Sequence, residues 1–581
     1  MIAAAPEELE ELLLQEIDKK LLMAYNEKIA SVIRLSGTEE EAASFAYVQR
    51  QLEEFGIETE MYYSDAYISL PQSACMTVNG ETVECITHSM AVSTAGTEGE
   101  LVYAGDGVPF DDPKLDVKGK IVLMNGLAMD SLVKNAQDRG AAAVVFINAE
   151  YTHEMIASRV WGSPGPEDWA LLPRVPIVSV TVAAGEILKE RMRNGNVNVC
   201  LQTRVDSRWR KIPTLIGTIT GAEEPERFLL LSSHVDSWHY GAMDNGAANA
   251  AVMEVVRILS KHRRYLRRSV RIAFWSGHSH GRYAGSTWYC DTFFEDLYDH
   301  CFLHINADSL GAKGSRILTE ANAMAETRGL AFDVIKQLTG QLFRGTRYGR
   351  AGDQSFWGTG TPSLYMGLSE QELTPGLAAE AFSQLFGGGK TGGFGWWWHT
   401  TEDTIDKIDE ECLVRDCAVY LLSVYRACAG EILPINQVAA IEELEQMIKG
   451  YAVLSGDKVD LSLMLSRVSE LKREVAAVYE NKEAYGREPF NQYIVGLSQM
   501  LVPLNYLRGS IYEHDLAVRQ RGIPLLTEVA ALEDLDPGND QYKAMMVIAR
   551  RRINQVNHTL RNAIDLTRSL RPVRDTKELI L

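Results

Sequence analysis

His234-Val-Asp236-Ser-Trp-His-Tyr-Gly-Ala-Met-Asp244-Asn-Gly246 follows the apolar run Phe228-Leu-Leu-Leu-Ser-Ser, so a histidine and two carboxylates emerge together where a buried strand ends. Imidazole and carboxylate are the ligands that borderline divalent ions such as zinc prefer, and open α/β sheets bind ligands at the carboxyl ends of their strands. The stretch points to a metal site in which His234 and Asp244 touch the ion, while Asp236 orients the His234 imidazole. Alone, His234 reads as an ordinary polar residue at a strand end. Three further segments change that balance. Cys301-Phe-Leu-His-Ile-Asn-Ala-Asp308 is another strand with a carboxylate at its end, which makes Asp308 a third candidate ligand. Trp396-Trp-Trp-His399-Thr-Thr-Glu-Asp403-Thr places a fourth, His399, after an aromatic run and before a threonine-rich helix start. Between them the buried strand Ser269-Val-Arg-Ile-Ala-Phe-Trp275 leads directly into Ser276-Gly-His278-Ser-His280-Gly-Arg-Tyr-Ala-Gly-Ser286.

With these residues in this order, the chain resembles over nearly its whole length the co-catalytic zinc peptidases, the family of bacterial aminopeptidases, glutamate carboxypeptidase and the transferrin receptor. That family runs histidine-x-aspartate, a bridging aspartate before an Asn-Gly-like turn, a Glu-Glu pair after a W-x-x strand end, an aspartate ending the next strand, and a late histidine in H-T-x-x-D-T. His234, Asp236, Asp244, Asp308 and His399 match it residue by residue; Asp353-Gln-Ser-Phe356 resembles a later Asp-x-x-x-Phe segment, one residue shorter here. The resemblance implies that His234 and Asp308 hold one metal, that His399 helps to hold a second, and that Asp244 bridges them. Zinc is the expected ion, bound once or twice.

The Glu-Glu pair, whose first member is the family's general base and whose second binds metal, is absent. Counted from Trp275, the two positions are His278 and Ser279; counted back from Gly285-Ser286, they are Ser279 and His280. A strand fixes spacing more tightly than a loop, so the first count is preferred. It puts His278 at the base position and Ser279, or His280 beside it, at the ligand position. The exchange has three readings. An imidazole with an ordinary pKa near 6.5 is a competent base; either histidine can instead bind metal and shift the site toward nitrogen ligands and one ion; or catalysis is lost, as in the transferrin receptor. The reading adopted keeps His278 and Asp236 as catalytic residues and His234, Asp244, His280, Asp308 and His399 as metal ligands.

Composition suits a large protein of several cores. The chain has 581 residues, 46% hydrophobic, and a net charge of −20, which argues against nucleic acid or an anionic membrane as partner. No 18-residue apolar run occurs, and the acidic start Met1-Ile-Ala-Ala-Ala-Pro-Glu-Glu is no signal peptide, so a cytoplasmic location is expected. Eight cysteines without a CxxC pair read as reduced core thiols. The expected fold class is α/β: a zinc-peptidase-like sheet flanked by helices, with an inserted β-rich domain and a C-terminal helical bundle.

Thr38-Glu-Glu-Glu41 reads as a capping box that opens a helix with an apolar side of Ala42, Phe45, Val48 and Leu52, ended by Gly56 before a strand from Ile57 to Tyr62. This belongs to a first part of the peptidase-like domain, 1–96. Short strands at Leu101-Val-Tyr-Ala, Gly119 to Met124, Gly140 to Asn148 and Val175 to Val180 resemble the protease-associated insert of the carboxypeptidase branch, placed at 97–205. Strands and helices alternate over the main peptidase-like part, 206–433. From 434 to 581, Leu461, Leu465, Val468, Leu471 and Val475, and again Met545, Ile548, Val556 and Leu560, recur at helical spacing. The resemblance implies that this bundle makes a homodimer; a helix buried within one chain gives the same pattern.

Other features are weighed against plain alternatives. Gly389-Lys390-Thr391 ends like a phosphate loop but has Gln384 where that loop needs glycine. The segment Gly387 to Gly395 reads as a mobile loop leading to an aromatic wall beside His399, with Trp398 a candidate substrate contact. Arg344, Arg347 and Arg350 precede Asp353; Arg347 and Arg350 are candidate clamps for a substrate carboxylate, a solvated face being the alternative. His88, His153, His262, His300, His514 and His558 have no motif around them and read as structural; His239 and His304 read as supporting or packing residues. The resulting function is a metal-dependent hydrolase cleaving an amide or related C–N bond of a small molecule or short peptide. The alternatives are a non-hydrolytic metal-dependent lyase on the same scaffold and a catalytically silent binding protein.

Overall fold

A computed structural model describes residues 6–106, 114–373 and 393–572. In chain order its strands are β1 (Thr59–Val78), β2 (Glu81–Val83), β3 (Ile86–Thr87), β4 (Thr94–Asp106), β5 (Ile121–Asn125), β6 (Ala143–Ile147), β7 (Ile177–Val180), β8 (Asn198–Ile219), β9 (Glu224–His234), β10 (Arg268–Trp275), β11 (Cys301–Ala307) and β12 (Ser363–Leu364). They form one continuous sheet in the order β12-β11-β9-β10-β8-β4-β5-β6-β7-β3, with β1 paired antiparallel along β8. The architecture is the expected one: a mixed sheet with helices, a β-rich insert and a helical C-terminal region.

The two long strands join its halves. β8 is 22 residues long, pairing β10 near its end and β4 near its start, so the main sheet passes into the insert without a linker. The expected insert end near Arg204 thus lies inside a strand.

β9, β10 and β11 run parallel and are almost wholly buried, as befits strands covered on both faces. The helix Ala248–Lys261 packs on this sheet and under the helix Glu410–Ala429, which explains why its buried positions run nearly all round it. Parallel strands end together, so the segments that leave His234, Trp275 and Ala307 all start from one edge of the sheet.

The helix Glu39–Glu54 is capped by Thr38, whose hydroxyl accepts the Glu41 N–H. Its inward side differs from the expected one. Ala42 is exposed, while Glu41 and Ser44 are buried with Phe45, Val48 and Leu52. Glu41 is drawn inward because its carboxylate accepts the Gly37 N–H at 2.6 Å. After residue 434 come the helices Gln437–Ser455, Ser462–Glu480, Arg487–Tyr506 and Asp540–Ser569. Val468, Leu471, Val475, Val556 and Leu560 are buried between them, but Ile548 is 41% exposed. Residues 387–392 of the glycine-rich segment, with Lys390 and Thr391, lie outside the described residues. No helix among the described residues is long and apolar enough to cross a membrane.

Candidate metal centre

Three imidazoles share one arrangement. His234 Nδ1 donates to the Asp236 carbonyl at 2.9 Å, His278 Nδ1 to the Asp353 carboxylate at 2.8 Å, and His399 Nδ1 to the Glu154 carbonyl at 2.7 Å. Each acceptor fixes the tautomer and leaves Nε2 as the inward-facing nitrogen, the usual preparation of a metal-binding histidine. His234 Nε2 lies 3.3 Å from Asp244 Oδ1 and 3.5 Å from Asp308 Oδ1, His278 Nε2 3.9 Å from Asp308 Oδ2, and His399 Nε2 3.1 Å from Asp244 Oδ2. Asp244 therefore stands between His234 and His399, and Asp308 between His234 and His278. The rings of His234 and His278 are parallel, with centroids 3.7 Å apart.

The donor set fits a divalent ion. His234, His278 and Asp308 each offer a ligand atom within 4.8 Å of the others, and His234 Nε2 is buried without a hydrogen-bond partner. Burial opposes a charge on His234, yet Asp308, Asp236 and Asp244 raise its pKa well above the ordinary value, so this point demands positive charge. Burial likewise works against ionised Asp244, but the His234 and His399 imidazoles hold its carboxyl well below the usual range. His399 faces only one carboxylate, and there burial wins and lowers its pKa.

Local sequence explains the positions. Gly241, at φ +55°, opens the Asp244 turn; a Cβ there would meet the Asp244 carbonyl at 2.3 Å. Asp403 accepts the N–H groups of Met243 and Asp244 at 2.9 and 3.0 Å. Asn245 donates to Ser233 Oγ and the Ala307 carbonyl and accepts the Ser309 N–H, which ties the turn to the ends of β9 and β11. Ser309, Arg282, Tyr283 and His399 all hold left-handed backbone at φ between +46° and +70°. Such non-glycine residues cost about 1–3 kcal/mol each and cluster where a site over-determines them.

Asp236 supports His234 mainly through its backbone carbonyl, with a carboxylate oxygen 3.6 Å from the same nitrogen. The carboxylate accepts Ser36 Oγ at 2.6 Å, Ser279 N–H at 2.9 Å and His278 N–H at 3.3 Å, so it positions the loop after β10. A cavity of about 110 Å³ opens over the centre, with Asp244, His278, Asp308 and His399 at its polar end. Met155, Ile156, Trp238, Met366, Phe394 and Trp398 supply apolar wall. Trp398, a candidate substrate contact, stacks on His399 at 3.3 Å.

Three expected site residues lie elsewhere. His280, expected as a ligand, is buried with Nδ1 3.0 Å from Ser36 Oγ and its ring against Trp238; burial pushes its pKa down to about 3. Two residues beyond His278 in a loop, it points behind the centre. Arg347 binds Glu443 at 3.0 Å, Asn505 and the face of Tyr506, and joins the helical region to the peptidase domain. Arg350 is buried over Trp161 and donates to the Asp515 and Gln354 carbonyls, so neither guanidinium faces the cavity. Arg344, the third of the set, is exposed.

Sequence reasoning missed the insert's share. The Glu154 N–H donates to the His399 carbonyl while the Glu154 carbonyl accepts His399 Nδ1, His153 Nδ1 lies 2.5 Å from the Trp398 carbonyl, and Arg282 donates to the Ile156 and Ser158 carbonyls. Nothing local marks residues 153–158, because their role exists only once the insert has docked. Asp353 was visible as a matching segment, but its hold on His278 was not.

Residues 214–422 match the model of peptidase family M28, and residues 97–188 that of the PA domain. The probable glutamate carboxypeptidase VP8 of Zea mays is 23% identical over 520 residues, covering 75% of this chain and 70% of its own. The probable glutamate carboxypeptidase AMP1 of Arabidopsis thaliana is 23% identical over 399 residues, 56% of each chain. This chain thus spans between about half and 70% of the length of these relatives. Among solved structures, the zinc aminopeptidase BSAP of Bacillus subtilis shares the fold at a TM-score of 0.55 and 19% identity, over 71% of this chain and 96% of its own. The chain carries a region that matches peptidase family M28 and, ahead of it, one that matches the PA domain, and in this it is similar to the co-catalytic zinc peptidases.

Proposed function

We propose that the chain is a metal-dependent peptide hydrolase in which His234, His278 and Asp308 hold an ion, with Asp244 and His399 completing the centre on the other side. The observation that carries this reading is the His278 ring: parallel to His234, bound through Nδ1 to buried Asp353, and turned with Nε2 toward Asp308. A histidine anchored by a carboxylate on its far nitrogen is arranged as a ligand. His278 then takes the ligand role expected of His280. A divalent ion, zinc by family and by its nitrogen and oxygen donors, would supply Lewis-acid polarisation of a scissile carbonyl.

The chain's own residues do the rest. The apolar wall and Trp398 bind a side chain and exclude water, and Tyr283, edge-on to His278, limits that ring's movement. Arg282 is occupied by backbone carbonyls, so the cavity suits a short peptide with an apolar residue better than one with an acidic residue. As a ligand His278 does not also act as the base expected at this position, because the Nε2 lone pair is the one that would hold the ion and Nδ1 is committed to Asp353.

The test is hydrolysis of a panel of short peptides by metal-depleted and zinc-restored protein. Cleavage that depends on restored metal supports the reading; a panel left intact by fully zinc-loaded protein contradicts it and favours a silent binding protein. We further propose pairing of two copies through the helical region, where Val453, Leu463 and Val547 are exposed. Light scattering that gives the 64.7 kDa monomer mass at micromolar concentration would count against it.

A further inference from the structure

Away from that centre, Cys290, Asp291 and His514 offer a thiol, a carboxylate oxygen and an imidazole nitrogen within 4.8 Å of one another. Cys290 and Asp291 lie at the end of the helix Ala284–Thr292, and His514 lies in the irregular segment between the helix Arg487–Tyr506 and the turn Pro524–Leu526. We propose that these three residues form a second cation site, of the zinc type, that staples this segment to the peptidase domain.

The chemistry of the donors argues for it. His514 Nε2 and Asp291 Oδ1 already meet at 2.8 Å, an ordinary surface pair worth little by itself. A sulfur at chelating distance from both makes the set different in kind. Thiolate with imidazole and carboxylate selects zinc-like ions over magnesium or calcium, which take oxygen donors. Glu513 lines the same small cavity beside Cys290 and His514 and can bring a fourth donor. Asp291 is 56% exposed and His514 15%, while Cys290 is only 3% exposed, so an ion enters from solvent and meets the thiol last.

The segment needs such a staple. It has no regular structure from Leu507 to Ile523, and its Tyr512 is 72% exposed. Yet it is tied to both neighbouring regions: the Asp515 carbonyl accepts Arg350, and Ala517 N–H donates to the Arg159 carbonyl of the insert. A metal clip between positions so distant in sequence removes loop entropy from the unfolded chain. Binding forms an Sγ–metal bond as the thiol proton leaves to solvent.

Cobalt(II) titration of the full-length metal-depleted chain tests this independently of peptidase activity. The first centre has only nitrogen and oxygen donors, so a near-ultraviolet thiolate-to-cobalt charge-transfer band reports a cysteine site alone. The expected result is such a band in the unaltered chain, its loss in Cys290→Ser, and its weakening in His514→Gln, with one equivalent of cobalt retained by the first centre in both variants. His514→Gln, on the exposed segment, keeps the test valid if Cys290→Ser does not fold. Absence of the band at saturating cobalt, or a band unchanged in both variants, overturns the proposal.

Discussion

The insert and the helical region both pack against the peptidase domain, but they meet it by different means. The insert reaches the metal centre itself: a Glu154 carbonyl holds His399, and the Ile156 and Ser158 carbonyls hold Arg282 at the cavity wall. The helical region attaches farther off through charged pairs, with Glu443 taking both Arg328 and Arg347, and with Gln499 donating to the Tyr298 carbonyl. Disturbing the first junction should therefore change activity, and disturbing the second should change stability.

The largest effect sets the scale. His234→Ala removes the nitrogen that faces both Asp244 and Asp308, at 3.3 and 3.5 Å; loss of several kcal/mol of charge stabilisation is a fall of about a thousandfold in kcat/KM, with bound zinc lost as well. Zinc content and peptide turnover together check it. Asp353→Asn keeps the size of the side chain but offers His278 a weaker acceptor, and should lower metal affinity or activity by about 10- to 100-fold.

Arg282→Ala tests the insert junction without touching a ligand. Hydrogen bonds from a charged group are worth about 1.5–3 kcal/mol, so its loss should raise KM by about tenfold as residues 156–158 loosen over the cavity. An unchanged KM would erase the contrast between the two junctions.

At the other junction, Arg347→Ala should lower stability by about 1–3 kcal/mol, measured by denaturant unfolding, and leave kcat unaltered. Glu326 sharpens the same point through pH. Burial raises its carboxyl to about 7, so the folded state holds a proton that the unfolded chain gives up near the ordinary value. Its protonated form is the one that folding favours, and stability falls as pH rises from about 4.5 through 7. Glu326→Gln should remove about 2–3 kcal/mol of that fall. Equal pH dependence of unfolding in the two proteins would contradict the assignment.

Legibility followed the same division. Strand ends and their ligands could be read because buried β-runs are continuous and stop at polar residues: Phe228–Ser233 before His234, and Cys301–Ala307 before Asp308. The loop after Trp275 was harder, since its spacing alone could not say which histidine turns inward. Asp236 and Asp353 decide that, by holding the His278 amide and ring from two other segments. Arg347 and Arg350 misled because a guanidinium near a site in sequence suits a carboxylate of any origin, and here Glu443 and backbone carbonyls supply the acceptors. Glu154 and His153 had no signal at all, as their partners are some 245 residues away.

The central claim is that His278 belongs to the ion-holding set and His280 does not. Zinc content of purified His278→Ala and His280→Ala, dialysed side by side against limiting zinc, tests it most directly. The account predicts that His278→Ala loses zinc while His280→Ala keeps the occupancy of the unaltered chain; full zinc in His278→Ala with loss in His280→Ala would contradict it.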